Sequence, residues 1–130
     1  MTITIEGNLT LTKDTVFDED LVVRGNIICE GGKFDLTVKG NINCFDINSH
    51  NIDCHDINCC NIDCLNIDCH DINCYNINCH DINCFDIDCA GINYYAVCFA
   101  YNNIKCKSIK GRRKNSKHFV LDGKIEIIGD

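Results

Sequence analysis

The side chains of this sequence that could do chemistry are cysteines, histidines and aspartates, and they recur at a fixed spacing. Nine of the thirteen cysteines, from Cys44 to Cys89, are separated by multiples of five residues. Thiolates hold zinc and iron–sulfur clusters, but those sites gather their ligands from CxxC turns. Thiols five apart fall on successive faces instead and read as small hydrophobes filling a narrow core. The odd count and monotonous spacing argue for free thiols rather than a disulfide framework. His50, His55, His70 and His80 stand beside Asp56, Asp71 and Asp81. Such an array could bind metal or titrate near neutrality, but exposed histidines are mostly just solvated. No metal ligand is assigned. No nucleophile with a positioned base and no glycine-rich phosphate loop is visible, so the expectation is a non-enzymatic protein without a cofactor.

The aspartates are distributed unevenly. The net charge is −7. Residues 1–40 hold seven acids and four bases, residues 41–104 nine Asp with neither Lys nor Arg, and residues 105–130 eight bases and three acids. An acidic body is joined to a basic end. The acidic side chains are Asp46, Asp53, Asp56, Asp63, Asp68, Asp71, Asp81, Asp86 and Asp88; the basic ones include Lys105, Lys107, Lys110, Arg112, Arg113, Lys114 and Lys117.

These residues are positioned by a repeat. From Asn41 the chain reads NINCF DINSH NIDCH DINCC NIDCL NIDCH DINCY NINCH DINCF DIDCA. Position two is always Ile, position four is Cys except at Ser49, positions one and three are Asn or Asp, and position five varies. On an α-helix a five-residue step sends Ile round every side. On a flat strand an odd period flips Ile to the opposite face at each repeat. Ile and the following Cys share one side of a short strand, and the three-residue step to the next Ile needs a corner. Asn and Asp suit corners through left-handed conformations and local capping. The chain must coil, with turns stacked as parallel β-ladders.

Charge predicts the coil length. Stacking residues 20 apart, four sides per coil, puts Asp on Asp only at Asp68 and Asp88. Stacking residues 15 apart, three sides, opposes Asp56 with Asp71, Asp71 with Asp86 and Asp53 with Asp68. Like charges directly opposed are unfavourable, so four sides are expected. Phe45, Leu65 and Phe85 would then align as an outward apolar column, with His50 over His70. DLVVRGNIIC and DLTVKGNINC, Asp20–Cys29 and Asp35–Cys44, are offset by 15, which suggests differently shaped coils before the body.

One all-β domain is expected over 1–130: N-terminal capping coils in 1–40, pentapeptide repeats in 41–90, and a C-terminal cap with the basic segment in 91–130. Tyr94, Tyr95, Phe99 and Tyr101 could close the open end or pair two subunits as a homodimer. Residues Met1 to Gly7 show no basic stretch followed by an apolar run, so a cytoplasmic protein without membrane contact is expected.

The run of [ND]I[ND]Cx pentads resembles the pentapeptide-repeat proteins. That resemblance implies a single-domain right-handed parallel β-helix with four-sided coils. With its closing YYAVCFAYNNIKCKSIKGRR and HFVLDGKIEII blocks, the chain also looks like proteins of phages and low-GC Gram-positive bacteria. Several pentapeptide-repeat proteins are acidic rods that imitate duplex DNA, so the resemblance implies a nucleic-acid mimic. The leading expectation is an inhibitor of a host nucleic-acid enzyme, of the phage anti-defence type (anti-CRISPR or anti-restriction) and acting in the host cytosol. Its partner would be a nucleic-acid-binding enzyme complex. The nine Asp would stand in for phosphates, with Phe45, Leu65, Tyr75 and Phe85 as apolar anchors and the basic segment as a second contact. The alternatives are a structural assembly solenoid docking end to end and a Cys/His metal-binding protein.

Overall fold

The computed structural model describes residues 2–128. Among them there is no helix, hence none able to cross a membrane. The chain is a parallel β-solenoid of about seven turns. Every β-ladder is parallel, as a coil that never reverses direction requires.

The pentads sort into three ladders. In the first, Ile57 pairs with Ile42 and Ile72, and Ile72 with Ile87. In the second, Ile62 pairs with Ile47 and Ile77, and Ile77 with Ile92. In the third, Ile67 pairs with Ile52 and Ile82. Partners in the body are 15 residues apart, so one coil holds three pentads and not the four expected. The three Asp contacts weighed against this period are all present: Asp53 opposes Asp68, Asp71 opposes Asp86, and Asp56 lies under Asp71.

Corner chemistry explains why that repulsion is tolerated. At many corners the position-one side chain of one coil accepts the backbone N–H of position one in the next. Where it does not, as for the N–H of Asn66 and of Asp81, that N–H bonds the carbonyl of His50 or Leu65, and Asn51 Oδ1 and Asn66 Oδ1 are left without a partner among the described residues. In the first ladder Asp20 Oδ1 accepts from Asn41 N (2.9 Å), Asn41 Oδ1 from Asp56 N (3.1 Å) and Asp56 Oδ1 from Asp71 N (3.2 Å). Asp86 Oδ1 accepts from Asn103 N and Asn103 Oδ1 from Lys124 N, both at 3.0 Å. Asn26, Asp46, Asp35 and Asp81 do the same in the other ladders. Each bond contributes about 1 kcal/mol or more when the acceptor is charged, whereas opposed exposed carboxylates repel only weakly in a high dielectric. The left-handed corners expected of Asn and Asp do not occur. Among the described residues only Gly7 (φ 84°) and Gly31 (φ 86°) have positive φ. The corners use Asn and Asp as bridges between coils.

The core is a stack of like residues. Each Ile from Ile42 to Ile92 at position two is 2% exposed or less, and burying such a side chain contributes about 1.5–3 kcal/mol. Behind each isoleucine the position-four thiols form their own columns: Cys44, Cys59, Cys74, Cys89 and Cys106 in the first ladder, Cys64 and Cys79 in the second, Cys54, Cys69 and Cys84 in the third. Ser49 takes a cysteine's place beneath Cys64, and its buried Oγ has no hydrogen-bond partner among the described residues.

Coils outside the body are longer. Leu21 stacks on Ile3 after 18 residues and Ile42 on Leu21 after 21; at the other end Ile104 follows Ile87 by 17 and Ile125 follows Ile104 by 21. The two look-alike blocks offset by 15 do not stack on each other. Leu21 belongs to the first ladder and Leu36 to the third, where it pairs with Ile52. Of the four end aromatics, Tyr94 closes the core, 1% exposed above Cys79, with its hydroxyl 2.7 Å from His118 Nδ1. Tyr95 and Tyr101 stay exposed, and Phe99 rests against Phe119 at 4.9 Å.

Candidate functional site: an acidic corner with an aromatic ladder

Position five lies on the outside of each corner, where its backbone N–H bonds the carbonyl one coil earlier. Three outward columns result. Phe45, Cys60, Tyr75 and Ala90 run along the corner between the first and second ladders. His50, Leu65 and His80 run between the second and third, and His55, His70 and Phe85 between the third and first.

The expected column of Phe45, Leu65 and Phe85 is not formed. Those residues stand on three different corners, because a 15-residue coil returns to the same corner after three pentads. Phe45 and Tyr75 share one column with Cys60 between them. The fifth-position histidine beneath His70 is His55, not His50. What forms instead is a continuous aromatic ladder: ring centroids are 5.0 Å apart for His55 and His70, 4.8 Å for His70 and Phe85, and 5.5 Å for Phe85 and Tyr101. His55, His70 and Tyr101 were absent from the predicted contact residues. Their spacing, multiples of 15 up to Phe85, would have shown them had the coil period been known.

The aspartates separate by corner in the same way. Position three of one strand and position one of the next flank each corner. Between the third and first ladders these are Asp53 and Asp68 on one side and Asp56, Asp71 and Asp86 on the other. The first-to-second corner has Asp46 and Asp88, and the second-to-third corner Asp63 and Asp81. Five of the nine carboxylates therefore frame the aromatic ladder. His50 and His80, on the second-to-third corner, are taken up by Asp35 (3.1 Å) and Asp81 (3.2 Å). Asp71, in the middle of its column, is held above the usual carboxylate range, first by partial desolvation and then by Asp56 and Asp86.

Beside the ladder lies an open groove of about 470 Å³, lined by Thr37, Val38, Lys39, Asp53, Cys54, His55, Asp68, Cys69, His70 and Phe85. A hollow of about 560 Å³ at the C-terminal end is lined by Ser116, Lys117, His118 and Phe119 and contains no carboxylate.

The basic segment is folded into the last coils. Lys105 pairs in register with Asp88 and Glu126, and Lys110 with Asn93. Lys107 caps the column above Ala90, its N–H on the Ala90 carbonyl. Arg112 donates to the Cys79 carbonyl at 3.1 Å, and the Arg112 and Arg113 guanidinium carbons lie 5.8 and 5.5 Å from the Tyr95 ring centroid. Lys114 and Lys117 are exposed beyond them. The basic end is thus anchored over Tyr95 by cation–π contact.

All thirteen thiols are free, Cys60 alone exposed. Burial in the apolar stack pushes Cys98 up to about 12 and Cys106 up to about 11. Cys44 and Cys74 rise through S–H contacts with Cys59 in the same column as well as burial. Among the described residues no three His, Cys, Asp or Glu side chains are grouped to hold a metal ion.

No family model, curated protein or solved structure matches the chain.

Proposed function

We propose that the protein is a non-enzymatic binding protein whose acidic corner imitates nucleic acid and occupies the basic cleft of a nucleic-acid-binding enzyme. The observation that carries this reading is the placement of Asp53, Asp56, Asp68, Asp71 and Asp86 on one corner. Three coils at about 4.8 Å per coil put these five carboxylates within about 10 Å. Duplex DNA carries about one charge per 1.7 Å of axis, roughly six over the same length. The aromatic ladder between the carboxylate rows offers ring faces and edges to arginine side chains that otherwise meet bases. In this reading the chain is a solenoid of the pentapeptide-repeat type with a shortened coil. The target is of the restriction, CRISPR or topoisomerase class, where a phage-encoded acidic rod would displace DNA.

The test is displacement of fluorescent duplex DNA from a panel of such enzymes at low and physiological salt. The wild-type protein should compete with at least one of them, more strongly at low salt. Asp56→Asn/Asp71→Asn/Asp86→Asn keeps the bridging oxygens and removes three charges, and should weaken competition at least tenfold. Competition undiminished by this triple change, or none against any enzyme, overturns the proposal.

A further inference from the structure

The thiol columns have a spacing that suits one class of ion. Successive coils are about 4.8 Å apart, and two metal–sulfur bonds of roughly 2.3 Å laid end to end span about 4.6 Å. A disulfide needs an S–S distance of about 2.05 Å and Cβ atoms about 3.8 Å apart, which would draw adjacent coils together. Tetrahedral zinc needs four ligands, and no three are grouped among the described residues. Linear two-coordination needs only the pair that the ladder already supplies.

We propose that the core binds soft monovalent d10 ions, Ag(I) or Cu(I), each held linearly between the thiolates of two successive coils. Soft thiolate donors favour such ions over harder ones. Each site forms by the exchange of two R–SH and one M⁺ for R–S–M–S–R, of net charge −1, and two H⁺. With each thiolate bound to one ion, the five-cysteine column of the first ladder takes two ions, Cys64 with Cys79 takes one, and the Cys54, Cys69, Cys84 column takes one. Cys59, Cys64 and Cys74 are only half buried; they give entry from solvent and leave part of the charge hydrated. The third-ladder column is wholly buried and fills last. This assignment concerns the core and is independent of what the acidic corner binds.

The experiment is titration of the reduced full chain with Ag(I), and separately with Cu(I), in excess acetonitrile, which competes against single-thiol binding. Native mass spectrometry counts the ions and X-ray absorption counts the sulfurs about each. Wild type should retain four ions with two sulfurs each. Cys59 and Cys74 are both half buried in one column, yet their variants should differ. Cys59→Ala isolates Cys44 and loses one ion, whereas Cys74→Ala leaves Cys44 with Cys59 and Cys89 with Cys106 and loses none. Cys64→Ala should lose one, and Cys98→Ala, outside the columns, none. Alanine fits this layer, since Ala100 lies buried above Cys84. Equal losses from Cys59→Ala and Cys74→Ala, three or more sulfurs per ion, or no retained ions would overturn the proposal.

Discussion

Two corners of the same coil share a backbone and differ in what they display. Between the third and first ladders the flanking residues are Asp53, Asp68, Asn83 and Asp56, Asp71, Asp86; between the first and second they are Asn43, Asn58, Asn73, Asp88 and Asp46, Asn61, Asn76. In both, some position-one side chains supply an oxygen to the next coil's N–H. Asn41 does this at 3.1 Å on one corner and Asp46 at 3.1 Å on the other. Where the bridge forms, a neutral acceptor at Asn41 and a charged one at Asp46 serve at the same distance, so it does not depend on charge. Asp in place of Asn is therefore free to serve recognition, and it accumulates where the aromatic ladder runs.

The two corners can be perturbed at several depths. The largest effect belongs to the core, which both corners share. Ile57→Ala and Ile62→Ala should each lower stability by about 2–5 kcal/mol, and by similar amounts, since each removes one member of an Ile stack. Urea unfolding would measure this; a cost confined to one ladder would mean the coil is not uniformly supported.

Removing a bridging acceptor comes next. Asp56→Ala and Asp46→Ala should each cost about 1 kcal/mol, while Asp46→Asn should be close to neutral. If Asp46→Asn costs as much as Asp46→Ala, charge and not acceptance is the structural requirement.

Smaller still is Asp71→Asn. Because Asp71 lies between Asp56 and Asp86, this change should raise stability by a few tenths of a kcal/mol, while Asp46→Asn, with Asn61 above and Asn26 below, should not. Thermal melting at low and high salt separates the two, since added salt should shrink the gain.

The least effect is pH dependence. Asp71 is raised above its unfolded value, so its contribution is fully present below the unfolded carboxylate pKa and is lost as pH rises through the folded one. Wild type should lose this increment across the carboxylate range, and Asp71→Asn should not. Unfolding midpoints on either side of that range would show it; identical pH profiles would count against the repulsion.

The solenoid was legible in the sequence because Ile and Cys two apart, then three apart, leave no room for helix or flat sheet. The coil period was not, because both the opposed charges and the alignment of Phe45, Leu65 and Phe85 point to four sides. Opposed Asp56 and Asp71 look unfavourable as a pair of charges, but in the structure the Asp56 carboxylate bonds the Asp71 amide, a contact that residue types do not announce. Everything outside the corners depended on that period. The aspartates and outward aromatics were readable as exposed, but which of them stand together was not, so His55, His70 and Tyr101 were missed and Phe45 and Leu65 were joined to a stripe that does not exist. The basic segment was readable as charge; its attachment through Tyr95 came only with Arg112 and Arg113 folded back over the ring.

The period of three pentads works as a reading frame. Deleting residues 56–70 would remove one whole coil and leave every remaining body residue on its own corner, shortening the aspartate row without redirecting it. Deleting a single pentad would leave the isoleucine core equally well filled but turn all later residues by one corner, moving Phe85 and Asp86 away from His55 and Asp56. Such a frameshift would preserve the scaffold while scrambling what it displays, and solenoids of this kind can gain or lose length safely only in multiples of three.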